Sequence, residues 1–164
     1  MTFGWVLVFI AAAAGCSKET ASPAQEPFQI MHDFTMTQTV ERRTLWKLSA
    51  PIARIALDGA SELDNPVVEF YREGSHASTA NADRAAVSPG STQVRLQGDV
   101  VIKAHREKVT LKTEKLDYRA DKDRIRTEED VLIERPGATV RGKGMEADSA
   151  LNDITIFKQR TVIQ

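Results

Sequence analysis

Three histidines, one cysteine and a scatter of carboxylates are what this 164-residue chain has for chemistry. His32, His76 and His105 fall at no HxH or HxxxH spacing, so nothing in the sequence builds a metal site. Ser75, His76 and Asp83 are the right types for a nucleophile, a base and an orienting acid. No G-x-S-x-G elbow accompanies them, and turn polarity accounts for them better. Gly142-Lys143-Gly144 lacks the strand-then-helix setting of a phosphate loop. Glu128-Glu129 and the Asp121, Asp123 pair read as solvated turn carboxylates. The expectation is no catalytic residue, no metal, no cofactor and no enzyme.

The cysteine carries more. Residues 3–14 read FGWVLVFIAAAA, followed by Gly15 and Cys16. Such a run is roughly 18 Å long as a helix at 1.5 Å per residue. That is short of the roughly 20 residues needed to span hydrocarbon, but it suits the core of a signal peptide ending in small residues. Ala13-Ala14-Gly15-Cys16 resembles the bacterial lipobox. The resemblance implies that Cys16 is lipidated and becomes the mature N-terminus, several acyl chains giving stable attachment at about 0.8 kcal/mol per buried methylene. The alternative is a short buried helix with an inert thiol. The following SKETASPAQEPFQIMHD, with Pro23 and Pro27, reads as a semi-extended tether. The expected organisation is a signal peptide over 1–15, a lipidated N-terminus and tether over 16–33, and a β domain over 34–164. The compartment implied is the periplasmic side of a bacterial membrane.

Composition supports that division. The first fifteen residues hold twelve apolar ones and no charge, so the whole-chain figure of 41% apolar overstates the core of the remainder. A lean core with much wetted sheet is expected. Lys and Arg number 22 against 23 Asp and Glu, interspersed, which leaves no basic footprint for nucleic acid. One cysteine excludes an intrachain disulfide framework.

From Phe34 onward apolar and polar residues alternate, strand after strand. Phe34, Met36 and Val40 do so, then Trp46, Leu48 and Ala50, then Val94, Leu96, Val100 and Ile102. Only 49–60 hints at a helical period, weakened by Pro51 and Gly59. Apolar parity flips near Thr113-Glu114 and Gly142-Lys143-Gly144, which in a period-2 strand requires a bulge or corner. VRLQGDVVI at 94–102 matches IRTEEDVLI at 125–133, a spacing of 31. TLKTEKLDY at 110–118 matches TVRGKGMEA at 139–147, a spacing of 29. A partial copy, IFKQRTVI, follows at 156–163, and a weaker one, STANADRAA, precedes at 78–86. Repetition near 30 residues predicts stacked hairpin layers that bury their apolar faces against neighbours.

In LWKLSAPIARI (45–55), NPVVEFYREG (65–74), LQGDVVI (96–102), LKTEKLDY (111–118), IRTEEDVLI and TVRGKGMEAD (139–148), the chain resembles the LptC family, the periplasmic component of lipopolysaccharide export, with its OstA-like, LptA-like fold. The resemblance implies an all-β, open stacked antiparallel jelly roll or half-pipe whose apolar interior holds lipopolysaccharide acyl chains. A lean interior would leave room for such a ligand. The candidate groove residues are Trp46, Leu48, Phe70, Leu96, Val100, Ile102, Leu111, Val131, Ile133 and Val140, each of which could equally be plain core. The resemblance further implies strand addition. An LptA-like protein would dock at the C-terminal edge through Ile154, Ile156 and Val162. An ABC transporter complex (LptB, LptF and LptG-like) would dock at the N-terminal edge through Phe34, Met36 and Val40. The alternative for the C-terminal edge is an ordinary edge strand blunted by Lys158 and Arg160. The resulting expectation is a lipid-anchored bridge component at the inner membrane, the outer membrane being the alternative site. A second class is a lipid-anchored assembly protein that pairs strands without carrying lipid.

Overall fold

The computed structural model describes residues 28–162, with side chains through Gln159. Cys16, the signal peptide and most of the tether lie outside the described residues. Eleven antiparallel strands follow one another: β1 Phe28–Val40, β2 Arg43–Ala56, β3 Ser61–Asp64, β4 Val67–Arg72, β5 Ser75–Asn81, β6 Arg84–Val87, β7 Gln93–Ala104, β8 Val109–Arg119, β9 Arg124–Arg135, β10 Ala138–Ala147 and β11 Ile154–Val162. A single 3₁₀ turn, Pro89–Ser91, joins β6 to β7. The helical hint over 49–60 is not realised: β2 runs as strand through Pro51 to Ala56, its buried side passing from Ala50 to Ala53 at the bend. β1 begins at Phe28, so residues 28–33, expected in the tether, are strand.

Strand registers show one continuous sheet folded into two facing halves. In half A, the segment 46–49 of β2 pairs with β4, β4 with β5, and β5 with 101–104 of β7. In half B, 52–55 of β2 pairs with β3, β3 with β6, and β6 with 94–97 of β7. The long strands β1, β2 and β7 to β11 run through both halves and bend between them. In β7, β8 and β10 the bend shows as a shift in the pairing register. In β7 it falls at Gly98 and Asp99, both at positive φ; in β8 between Thr113 and Asp117; in β10 between Lys143 and Met145, at Gly144. The two parity flips read from the sequence are the bends of β8 and β10; β7 keeps its even inward parity through Gly98 and Asp99, so its bend leaves no flip to read. Gly98 is required twice over, since its φ is +78° and a Cβ there would meet Asp83 Oδ2 at 2.3 Å.

The bend turns the inner face of each half toward the other, and their side chains form one hydrophobic core. Directly opposed residues on neighbouring strands share a face, so the registers define rows. In half A a row runs Leu48, Val68, Ala80, Ile102, Leu111, Ile133, Val140 across seven strands. In half B the facing row runs Ala53, Leu63, Ala85, Leu96, Leu116. The outer faces carry the balanced charge as cross-strand ion pairs, among them Arg95–Asp117 at 2.7 Å, Lys112–Glu134 at 2.9 Å and Arg54–Asp64 at 3.0 Å. Being exposed, each contributes only about 0–1 kcal/mol.

Candidate functional site: an apolar interior between two edge strands

All ten candidate groove residues point into the interior and are buried, Val140 being the most accessible at 6%. Nine lie on half A, where regular alternation makes the inner face easy to read. Only Leu96 lies on half B. The opposite wall is built of Leu63, Val94, Leu116, Tyr118, Ile125 and Met145, none of which is among the expected groove residues. Its signal is nevertheless present: Leu116, Tyr118 and Met145 follow the parity flips of β8 and β10, while Val94 and Ile125 keep the parity of Val100 and Val131 on their own strands.

The interior is filled by its own side chains. Trp46, Phe70 and Tyr118 are its largest members, and Phe70 meets Tyr118 edge to face across the two halves, with centroids 4.7 Å apart. Burial, with the Asp123 charge adding, pushes the Tyr118 hydroxyl far above the ordinary phenol range. Small residues in the rows (Ala53, Ala80, Ala85) keep the two walls close. Two buried polar atoms, Trp46 Nε1 and Ser149 Oγ, find no hydrogen-bond partner among the described residues. A buried unpaired polar group costs about 1–3 kcal/mol.

Two cavities adjoin this interior. A small one of about 130 Å³ at the β10–β11 end is lined by Ile133, Val140, Ile154 and Ile156. An open groove of about 900 Å³ lies at the bends of β7 to β11. Its lining mixes Val100, Val101, Val131 and Leu132 with Asp99, Glu114, Asp130, Arg141, Lys143 and Lys158. Val100 and Val131 are the expected groove residues that reach it.

The expected edge residues behave differently from one another. Phe34 and Met36 are half-buried and pack against the core, whereas Val40 is exposed. Ile154 and Ile156 also pack against the core. Val162 pairs through its backbone with Thr139, and its side chain lies outside the described residues. Among the described residues β1 pairs only with β2, and β11 only with β10. Each therefore carries a backbone edge with no described strand beside it.

The residues weighed for enzyme chemistry do not assemble. The His76 ring neighbours Thr79, Tyr71 and His105, while Asp83 sits beside Gly98. His76 and His105, isolated in sequence, are brought to a ring separation of 4.8 Å by β5–β7 pairing, with Thr79 Oγ1 within 3.2 Å of both. Gly142-Lys143-Gly144 forms the bend of β10 with no helix after it. Among the described residues no group of three or more His, Cys, Asp or Glu side chains converges as a metal site. No helix among them is long and apolar enough to cross a membrane.

Comparison with known proteins meets this geometry. No curated protein matches the chain. A solved structure is similar to it, the crystal structure of LptH, the LptA homologous periplasmic component of the conserved lipopolysaccharide transport device from Pseudomonas aeruginosa. The two share 11% identity over 85% of this chain and 96% of that one, with a TM-score of 0.49. The family model described as lipopolysaccharide-assembly, LptC-related matches residues 1–164. The chain therefore belongs to the LptC-related family and is a non-enzymatic, periplasmic component of the lipopolysaccharide transport bridge.

Proposed function

We propose that this chain is the lipid-anchored member of the bridge, tethered through Cys16 to the periplasmic side of the inner membrane. It accepts lipopolysaccharide from an ABC transporter complex at the β1 edge and holds the acyl chains along the interior rows. It then passes them to an LptA-like partner at the β11 edge. The observation that carries this reading is the apolar row from Leu48 to Val140, which crosses seven strands without a charged residue. It leads from the β1–β2 side to β10, next to the cavity lined by Ile154 and Ile156. Acyl surface buried there contributes roughly 25 cal/mol per Å². Trp46 Nε1 offers a buried donor to an oxygen of the acylated ligand.

One observation favours the second reading, an assembly protein that pairs strands without carrying lipid. Trp46, Phe70 and Leu111 are fully buried among protein side chains, so a guest must displace them. Native mass spectrometry of the domain mixed with lipopolysaccharide decides between the two. A lipid-bound mass supports the carrier. Apoprotein alone, with an LptA-like partner still captured, supports the assembly protein.

A further inference from the structure

We propose that the segment 148–151 is a clasp that closes the mouth between the two half-sheets, and that its release admits an acyl chain. This inference rests on the carrier reading above and names how that interior is opened. The strands bend in their middles, so the halves have free lips at the opposite side. The lip of half A includes the ends of β4 and β5 and the β7–β8 turn. The β10–β11 connection starts on half B, where Ala147 pairs with Ile125, and crosses to that lip. Arg72 at the end of β4 ion-pairs with Asp148, and the Ser78 hydroxyl of β5 donates to the Ser149 carbonyl. Ala150 and Asn152 share a cavity of about 320 Å³ with Arg72, His76 and Arg106.

Connections normally run exposed over a protein surface. Here Asp148, Ser149, Ala150 and Leu151 are all buried, none more than 5% exposed. Leu151 joins the core. The Asp148 carboxylate accepts the Asn152 and Asp153 backbone N–H groups, at 2.8 and 3.3 Å, which shapes the loop. Two features oppose the closed form. The Ser149 hydroxyl is buried without a partner among the described residues, and Leu151 is held at φ +56°. Against these, the polar links to the opposite lip are one hydroxyl bond and one ion pair, and the Arg72 side chain of that pair is 46% exposed. Opening returns the Ser149 hydroxyl to water and withdraws Leu151, whose place an acyl chain can take.

The test uses the full chain with R72M and R72K. Hydrogen exchange over 148–153 and the association rate of cis-parinaric acid, a fluorescent fatty acid, are measured together. R72M is expected to speed both by about fivefold or more, the effect of losing a partly buried ion pair. R72K, which keeps the charge, stays near the wild-type rates, and exchange in β7 to β9 stays unchanged. Unchanged exchange over 148–153 in R72M overturns the clasp. Faster exchange with an unchanged association rate also overturns it, while leaving the carrier reading intact. Absence of parinarate fluorescence with every protein, despite faster exchange in R72M, overturns the carrier reading and the clasp with it.

Discussion

Phe70 and Tyr118 meet edge to face across the interior, ring centroids 4.7 Å apart and planes inclined by 64°. Phe70 belongs to half A, opposed to Trp46 and Ser78; Tyr118 belongs to half B, opposed to Val94 and Ile125. The pairing registers run along the sheet and not across its interior, so side-chain contacts of this kind hold the two faces together. Phe70→Ala is expected to cost about 3–5 kcal/mol in urea unfolding, transfer and cavity terms together. A double-mutant cycle with Tyr118→Leu should return a coupling of about 0.5–1.5 kcal/mol. A coupling near zero would mean that the halves do not close through this pair.

The Tyr118 hydroxyl gives a pH signature. Its folded value lies above the ordinary 10.0, through burial first and the Asp123 charge second. The fold thus favours the neutral phenol, so this stabilisation is complete below the ordinary value and is lost as pH rises above it. The melting temperature of wild type should fall as pH rises above about 10, and that of Tyr118→Phe should fall less. Equal losses in the two proteins would contradict the burial of this hydroxyl.

Gly142 lets β11 approach β10. A Cβ there would meet Ile156 Cγ2 at 2.3 Å and the Lys158 carbonyl at 2.9 Å. Gly142→Ala is therefore expected to loosen β11 selectively, at a cost of about 1–3 kcal/mol for overpacking. Hydrogen exchange should quicken over 154–162 and hold steady in β2, β4 and β5. Uniform change across the domain would show that the strain is absorbed elsewhere.

The β11 edge is proposed as the docking strand, so deleting residues 154–164 should abolish capture of an LptA-like partner while β7 to β10 stay protected from exchange. Retained capture would remove strand addition at this edge.

Membrane attachment is proposed to depend on Cys16 alone. Cys16→Ser should move the chain from the membrane to the soluble fraction, with loss of the diacylglyceryl mass from the N-terminal peptide. A variant that stays in the membrane would contradict the lipid anchor.

The strand pattern, the repeats and the bends of β8 and β10 are legible in the sequence, because a period-2 strand cannot move its apolar side without a bulge; the β7 bend at Gly98 is not, because its parity is the same on both sides. Trp46, Leu48, Ile102 and Leu111 announce one wall by plain alternation. Tyr118 and Met145 fall into place only once the flips of β8 and β10 are located, whereas Ile125 keeps the parity of Val131 and Ile133 and goes unread for lack of a partner to pair it with. The β1 start at Phe28 was hidden for a related reason. Phe28, Ile30 and Met31 form strand while remaining largely exposed, so no alternation of burial marks them. Long-range meetings such as His76 with His105, or Arg72 with Asp148, leave no trace in spacing, because only the registers of β5, β7 and β10 create them.

The carrier claim is met most directly by site-specific photo-crosslinking in cells from Leu111 and Ile133, neighbours in the half-A row. A lipopolysaccharide adduct at both positions, absent from an outward control at the exposed Lys103, is the result predicted. Folded protein that yields no adduct at either position would contradict the claim that acyl chains travel through this interior.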